Sequence, residues 1–515
     1  MSKEETKWYE KSNVVSQFRR SSFRPYQKET IEEIAGAFED GYKYVILDAP
    51  TGSGKSEIGA CFAFASGDAH ILTIQKLLQD QYQEDFRDMF IMKGRGSYTC
   101  VRGYDGESCA EGPCRLRKSE KCPTCPYGLA KLEALEADVA VHNFDSFYYQ
   151  NTYGSGMGSR ELIIIDEAHN ISNKFSSFLS FTIDSRGGVD VPDLDSISEY
   201  DSFVRDTYNI MASEYSMLKL AFDGGGLSKY ELKRMNDLRA TVLKMKRFIT
   251  MREKADPEEY VFDFTNTGRY GPKVTFRPVF SGAYASRWLS DYGERVLMMS
   301  ATILDKDMFC RETGLDPEKT YYVNTPSVFP AENRPIVKKF AGSMRYNQIK
   351  FTLPRLAEII QEIVDKYPGR KGIIQTHSER IAKYLYNNLL DTRYTYNKDF
   401  PNPQAMLEAH KKKDGSFIIA SGLREGLDLR GDLSKVQIFC KVPYPSLGDK
   451  LVSRKMEIDS KWYGWMTTLM FVQSLGRSVR SPKERAVTYI LDSDFSKFYG
   501  MNKRFIPQYI KEALQ

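Results

Sequence analysis

Residues 44–65 read YVILDAPTGSGKSEIGACFAFA. Tyr44-Val45-Ile46-Leu47 is an unbroken apolar run, the pattern of a strand buried on both faces of a parallel sheet. A turn of small residues follows, and the stretch from Lys55 to about Ala65 reads as a helix. Small residues between a strand and a helix let backbone N–H groups close around phosphate oxygens at the helix N-terminus. Thr51, Gly52, Ser53 and Gly54 would form that cradle. Lys55 would reach the β- and γ-phosphates of ATP, and Ser56 would offer its hydroxyl to Mg²⁺. The loop departs from the general phosphate-loop pattern only in having Ala49 for the first glycine.

Outward from this segment the rhythm repeats. Ile71–Ile74 and Leu162–Ile165 are further short apolar runs, and Val296–Met299 could add another strand from far downstream. Residues 186–290 are polar and read as loop-rich, with one amphipathic helix marked by Leu232, Met235, Leu238, Val242, Met245 and Ile249. Beyond about Tyr321 the alternation resumes: a helical face from Leu356 to Val364, then strands at 372–374, 417–419, 436–439 and 487–491. The expected fold class is α/β, with two tandem parallel-sheet domains and insertions in the first.

The chain has 515 residues, which at roughly 150 per domain allows three or four domains. With 41% hydrophobic and 27% charged residues it can bury a sizeable core, and a disordered or collagen-like chain is excluded. No run approaches the ~18 apolar residues of a membrane span. The N-terminal MSKEETKWYEKSN is charged where a signal peptide would be apolar, so the expectation is a soluble protein, cytoplasmic or nucleoid-associated. The net charge of +5 permits a nucleic-acid partner without arguing for one. Five of the eight cysteines fall between Cys100 and Cys125, a clustering that in a reducing compartment points to a metal site. Cys61, Cys310 and Cys440 stand alone in apolar surroundings and read as core thiols.

Asp166-Glu167-Ala168-His169 ends the 162–165 strand. There Asp166 can hold Mg²⁺, and Glu167 can orient and deprotonate an attacking water. Together with the phosphate loop, Ser300-Ala301-Thr302 and Gln473-Ser-Leu-Gly476-Arg477-Ser-Val-Arg480, this DEAH box resembles the motif series of a superfamily 2 helicase. The resemblance implies that Gln473, Arg477 and Arg480 face the nucleotide across a cleft, the arginines stabilising charge on the transferring phosphoryl group. It also implies a coupling motif around Gly426 and Asp428, and an adenine contact at Phe23-Arg24-Pro25-Tyr26-Gln27 with Gln27 as the hydrogen-bonding amide.

The cysteine cluster, its flanks Lys93–Cys100 and Cys125-Pro126-Tyr127, Ala137–Asn143, Asn170 and Val442-Pro443-Tyr444-Pro445 are similar to those of XPD/DinG-type iron–sulfur helicases, over about residues 23–495. That resemblance implies two RecA-like motor domains, the first from 1–90, 146–185 and 291–325 and the second from 326–515. It also implies a cysteine-rich insertion at 91–145 and a helical arch at 186–290. A [4Fe–4S] cluster would take four of Cys100, Cys109, Cys114, Cys122 and Cys125. Cys100 and Cys125 match the flanks best. Cys109-x4-Cys114 would leave Cys122 spare, whereas Cys122-x2-Cys125 has zinc-site spacing, so spacing alone does not separate the metals. The implied partners are single-stranded DNA and duplex junctions, with 5′→3′ movement of a monomeric motor. Strand contacts are sought at Lys93, Arg95, Tyr98, Tyr148, Tyr149, the basic face Lys233, Arg234, Lys244, Lys246 and Arg247, and Thr376-His377-Ser378. One departure stands out. Where the family often has Asp-x-Arg-Phe, this chain has Asp492-Ser493-Asp494-Phe495.

Overall fold

The computed structural model describes residues 7–103, 106–115, 122–185, 188–253, 259–268, 271–422, 429, 431–476 and 484–515. Among them, sixteen strands numbered in chain order form three sheets. The first sheet holds β1 (Tyr44–Asp48), β2 (Ala69–Thr73), β3 (Phe90–Met92), β4 (Val139–Asn143), β5 (Arg160–Asp166), β9 (Gly293–Ser300) and β10 (Thr320–Asn324), in the order β10-β1-β9-β5-β2-β4-β3. Every pairing in it is parallel. Val45 and Leu47 pack into one core with Ile58 and Phe62, whereas Ile46 faces another with Ile163 and Met298. Both faces are covered, which is why the strand reads as continuously apolar. The distant Val296–Met299 run takes the central place, with β9 pairing to both β1 and β5.

The second sheet is also all parallel: β11 (Ile336–Gly342), β12 (Gly372–Gln375), β13 (Tyr394–Tyr396), β14 (Phe417–Ala420), β15 (Val436–Phe439) and β16 (Val487–Asp492), ordered β11-β16-β15-β12-β14-β13. Cys61, Cys310 and Cys440 are buried, as their apolar neighbours imply. Among the described residues no helix is long and apolar enough to cross a membrane.

The segment expected to be loop-rich is largely regular. Two long helices, Ile197–Gly224 and Lys229–Arg252, rise from an antiparallel sheet of β6 (Phe181–Asp184), β7 (Tyr260–Thr267) and β8 (Gly271–Pro278), ordered β6-β8-β7. Each helix opens with a full capping box, Ser196 with Glu199 and Ser228 with Glu231. The first helix buries only Tyr200, Val204, Thr207 and Met211 over its 28 residues, so its apolar stripe is too sparse to register as a period. The cysteine-rich stretch lies between β3 and β4. It is built from short 3₁₀ turns at Arg95–Ser97 and Pro113–Arg115, and the helix Pro126–Glu136 returns the chain to the sheet.

Candidate nucleotide site and cysteine-rich segment

The phosphate loop joins the carboxyl end of β1 to the helix Lys55–Ser66. Gly52 and Gly54 turn it at φ of 86° and 84°, a region that side chains disfavour. A Cβ at Gly54 would also strike the Gln27 amide, whose Nε2 donates to Gly54 O at 3.2 Å. Gln27 is buried, and its Oε1 accepts the Arg24 N–H at 2.9 Å. The segment sought as an adenine contact is therefore clamped onto the loop itself. Lys55 Nζ donates to Ala49 O at 3.0 Å. The Ser53 hydroxyl is buried with no hydrogen-bond partner among the described residues, which fits an acceptor arriving from outside the chain.

Asp166 ends β5 beside this loop. Tyr82 links the two sides: its hydroxyl donates to Asp166 Oδ2 at 3.2 Å and also hydrogen-bonds Ser56. Burial pushes the Asp166 carboxyl up to about 6, reinforced by the charge of Glu167 and opposed by Lys55. A buried carboxylate beside a lysine and a serine hydroxyl is a donor set that fits Mg²⁺. Glu167 sits in the left-handed region at φ 58°, a conformation costly for a residue with a Cβ. Its Oε2 lies 3.3 Å from His169 Nδ1, which is 2.8 Å from Ser300 Oγ. Ser300 Oγ accepts the Thr302 N–H at 3.1 Å, and Gln473 Nε2 donates to Thr302 Oγ1 at 3.3 Å. Polar contacts thus run from the Asp-Glu pair into the second sheet's domain. Trp465 Nε1 adds a second bridge, donating to Ile303 O at 2.9 Å.

The helix Ser460–Leu475 carries Gln473 and delivers Gly476 to the phosphate loop, where a Cβ would be 3.8 Å from Thr51 Oγ1. Arg477, Arg480, Gly426 and Asp428 lie outside the described residues. Behind the loop, a cavity of about 630 Å³ between the two domains is lined by Tyr26, Pro50, Thr325, Arg504 and Tyr509. Tyr82, Trp465, Arg504 and Tyr509 carry no motif signal. Their roles come from position in the fold.

Several residues sought as strand contacts are occupied elsewhere. Tyr148 is buried and stacks on Phe178 at 3.7 Å, so it is core. Arg234 grips Glu214 through Nε and Nη2, Lys244 donates to Ser180 O, and Arg247 lies over the Tyr284 ring. Lys233 and Lys246 remain exposed on that helix, but the face is mostly spent on holding the insertion together. Beside the cysteines, Lys93 pairs with Asp80 and Arg95 lies over Tyr127.

Among the described residues no group of three or more His, Cys, Asp or Glu side chains is arranged to hold a metal ion. The cysteines nevertheless approach one another. Cys109 and Cys125 are 3.9 Å apart at sulfur, and Cys100 Sγ lies where a Cβ on Gly112 would stand 2.5 Å from it. Burial raises the Cys109 thiol, with Cys125 and Cys100 adding to it; burial likewise raises Cys114, with Cys125, Cys100 and Cys122 contributing. An all-sulfur donor set of this kind suits a soft metal or an iron–sulfur cluster.

Two parallel-sheet domains that meet at a glycine-turned loop and an acidic pair are consistent with tandem RecA-like domains. Residues 20–186 match the family model described as type III restriction enzyme, res subunit, and residues 363–512 match the helicase C-terminal domain. An XPD helicase structure superposes with a TM-score of 0.64 at 15% identity, covering 94% of this chain and 98% of that one. Xpd4 of S. tokodaii gives 0.61 at 14% identity, covering 96% and 99%. Of known sequences, the probable ATP-dependent helicase MJ0942 of Methanocaldococcus jannaschii is 21% identical over 481 residues, 74% of this chain and 72% of that one. The ATP-dependent DNA helicase YoaA of Haemophilus influenzae is 21% identical over 447 residues, 72% and 67%. In fold, and in its match to the helicase C-terminal domain, the chain is similar to the XPD-like helicases.

Proposed function

We propose that this protein is an ATP-dependent helicase that moves along single-stranded DNA, in the 5′→3′ direction, and opens duplexes at junctions. The observation that carries the reading is the unbroken contact path from the Asp166-Glu167 pair through His169, Ser300 and Thr302 to Gln473. A change at the γ-phosphate has a physical route to the second motor domain. DNA as substrate is supported by the name of the H. influenzae relative. Polarity and the monomeric state rest on the XPD/DinG resemblance.

In the reaction, backbone N–H groups of residues 52–55 and the Lys55 ammonium hold the phosphates. Ser56 and Asp166 would hold Mg²⁺, which supplies charge neutralisation across the β- and γ-phosphates. Glu167 accepts the proton of the attacking water as its oxygen bonds to the γ-phosphorus and the bond to the ADP oxygen breaks. Arg477 and Arg480 would balance the charge that develops, and Gly426 and Asp428 would pass the nucleotide state to the strand. The cavity lined by Tyr26 and Tyr509 has the position and aromatic lining for the base. Cys100, Cys109, Cys114 and Cys125 would hold a [4Fe–4S] cluster, a structural pin for the insertion, with zinc as the alternative ion. Cys122 is the spare in this reading, as the Cys109-x4-Cys114 spacing leaves it. The insertion at 91–145, the arch at 186–290 and the first motor domain would frame the passage for the strand.

ATP hydrolysis is to be measured with no nucleic acid, single-stranded DNA, duplex DNA and single-stranded RNA, with Lys55→Ala beside each. Stimulation by single-stranded DNA that the variant abolishes is the expected result; strand displacement from 5′- and 3′-tailed duplexes then reads direction. No stimulation of a folded protein would refute the motor, and stimulation by RNA alone would refute the substrate.

A further inference from the structure

The helical insertion is reached from the first motor domain, yet its sheet is fastened to the second. The chain passes from the helix Ile171–Leu179 into β6 and returns from β8 to the helix Gly282–Tyr292. Elsewhere, β7 packs against the helix Lys450–Ile458 of the second domain. Arg277 of β8 forks onto Asp449, with Nη1 3.1 Å from Oδ2 and Nη2 2.7 Å from Oδ1. Asp263 of β7 accepts from the same Nη2 at 2.6 Å, which steadies the guanidinium from the insertion's own side. Lys450 Nζ stands 4.6 Å over the Phe262 ring, and Arg454 Nε meets Glu259 Oε1 at 2.5 Å. The Arg277 side chain is 22% exposed against 41% for Arg454. An exposed pair contributes little, so the shielded fork is the contact that fixes orientation.

Asp449 also caps the helix it precedes, accepting the Leu451 N–H at 2.8 Å. One residue, Asp459, ends that helix and begins the helix Ser460–Leu475. Its N–H donates to Lys455 O at 2.9 Å, and its carboxylate accepts the Lys461 N–H at 2.8 Å. Val452 packs with Trp462, Trp465 and Leu469, so the two helices form one close-packed hairpin. The second helix has 16 residues, a rod of about 24 Å. Its far end sets Gln473 on Thr302 and Gly476 beside Thr51 of the phosphate loop. Toward the first domain, Lys455 meets Glu312 at 2.7 Å and Asp459 meets Arg311 at 2.6 Å. The hairpin thus touches the candidate nucleotide site at one end and the insertion at the other.

We propose that Arg277 and Asp449 are positioning residues that tie the posture of the insertion to the state of the nucleotide site. A shift of the second domain at Thr51 or Thr302 carries the hairpin, Asp449 with the hairpin, and Arg277 with Asp449. Contacts between the insertion and the first domain include Arg247 over Tyr284 and Arg239 over Tyr153. Attraction to a ring face fixes distance more than direction, whereas a two-bond fork fixes both. The insertion therefore turns with the second domain while staying rooted in the first. Such coupling is reciprocal: a strand that displaces the insertion changes nucleotide affinity by the factor with which nucleotide changes strand affinity. The proposal rests on the motor reading given above.

The test uses the full chain with donor and acceptor dyes attached through unnatural amino acids at Glu84 of the first domain and Lys233 of the insertion, both exposed. Adding Mg²⁺ with a non-hydrolysable ATP analogue is expected to change the energy transfer in the wild type. Asp449→Asn is expected to abolish that change. Asparagine keeps the helix cap and removes only the charge, so this variant folds. Its ATP hydrolysis without nucleic acid should match the wild type, while strand displacement falls about tenfold. Arg277→Gln should behave alike, and the double variant should lose no more than either single one. Wild-type protein that binds the analogue with no change in transfer would overturn the proposal and leave the motor reading standing. So would a wild-type response in both variants, or a loss of hydrolysis equal to the loss of displacement, which marks a merely structural pair. Wild-type protein that neither binds the analogue nor displaces strands would overturn the motor reading and the proposal together.

Discussion

Lys455→Met tests whether the two motor domains are docked in solution as they are here. Lys455, on the helix Lys450–Ile458, and Glu312, on the helix Lys306–Thr313, are 9% and 3% exposed, with their charged groups 2.7 Å apart across the domain boundary. Glu312 Oε2 also accepts the Ser172 hydroxyl at 2.9 Å, while Oε1 is buried without a hydrogen-bond partner among the described residues. At an effective dielectric constant of about 20, unit charges at that separation attract by roughly 6 kcal/mol. Desolvation of both ions offsets much of this. Removing one partner costs about 3–5 kcal/mol, because the remaining charge stays stranded in the interior. Lys455→Met should therefore lower stability by about that amount, and Lys455→Met with Glu312→Leu should recover most of it. Urea unfolding read by tryptophan fluorescence is a suitable assay, since the Trp462 ring lies 5.1 Å from Lys455 Nζ. A loss below about 1 kcal/mol, the worth of an exposed pair, would refute the reasoning. Glu312 would then be solvated, and the domains apart at this face.

Arg160 donates to the carbonyls of Ala69, Ala134, Leu135, Ala137 and Asp138, closing the end of the helix that leaves the cysteine-rich segment. Arg160→Lys keeps the charge but not the fork, and should cost about 2–4 kcal/mol in urea unfolding, with faster hydrogen exchange over residues 126–136. His70 and His142 are buried with ring nitrogens 3.1 Å apart; burial lowers His70 to about 3 and His142 well below its ordinary value. The unfolded chain therefore binds protons that the folded one refuses. Stability should fall as pH drops below about 6.5, by up to roughly 1.4 kcal/mol per pH unit for each histidine, and His70→Leu with His142→Leu should flatten that slope. Glu167→Gln should retain ATP binding and slow single-turnover hydrolysis about 100-fold or more; a smaller effect would remove Glu167 as the base. Anaerobically purified protein should carry iron and sulfide that Cys125→Ser loses and Cys122→Ser keeps. Zinc in their place would identify the alternative ion, and retention of metal by Cys125→Ser would refute the ligand set.

The parts legible in the sequence are those with a short-range cause. An apolar run followed by a glycine turn and a helix start can only build a strand that delivers a phosphate loop, because each feature constrains backbone geometry within a few residues. The Asp-Glu pair at the end of β5 is legible for the same reason. Within the insertion, expected to be helical, the first helix is not marked in the sequence because a 28-residue helix that buries four side chains carries almost no periodic signal, while its capping box is visible only once a helix is expected. The partners of the basic face on the helix Lys229–Arg252 are not legible because a lysine or arginine looks the same in sequence whether it meets solvent, Glu214 or a tyrosine ring.

What the sequence determined by itself is thus the chemistry available and its local scaffolding: the phosphate loop, the acidic pair, five clustered thiols and two parallel-sheet rhythms. Tertiary structure alone decided which distant groups meet. Placing β9 between β1 and β5 sets Ser300 against His169, and docking the second domain sets Gln473 on Thr302 and Lys455 on Glu312. It also decided that Arg345 pairs with Asp494, from about 150 residues away along the chain. Such pairings depend on sheet order and domain docking, which bury surface contributed by the whole fold. No local pattern of residues encodes them.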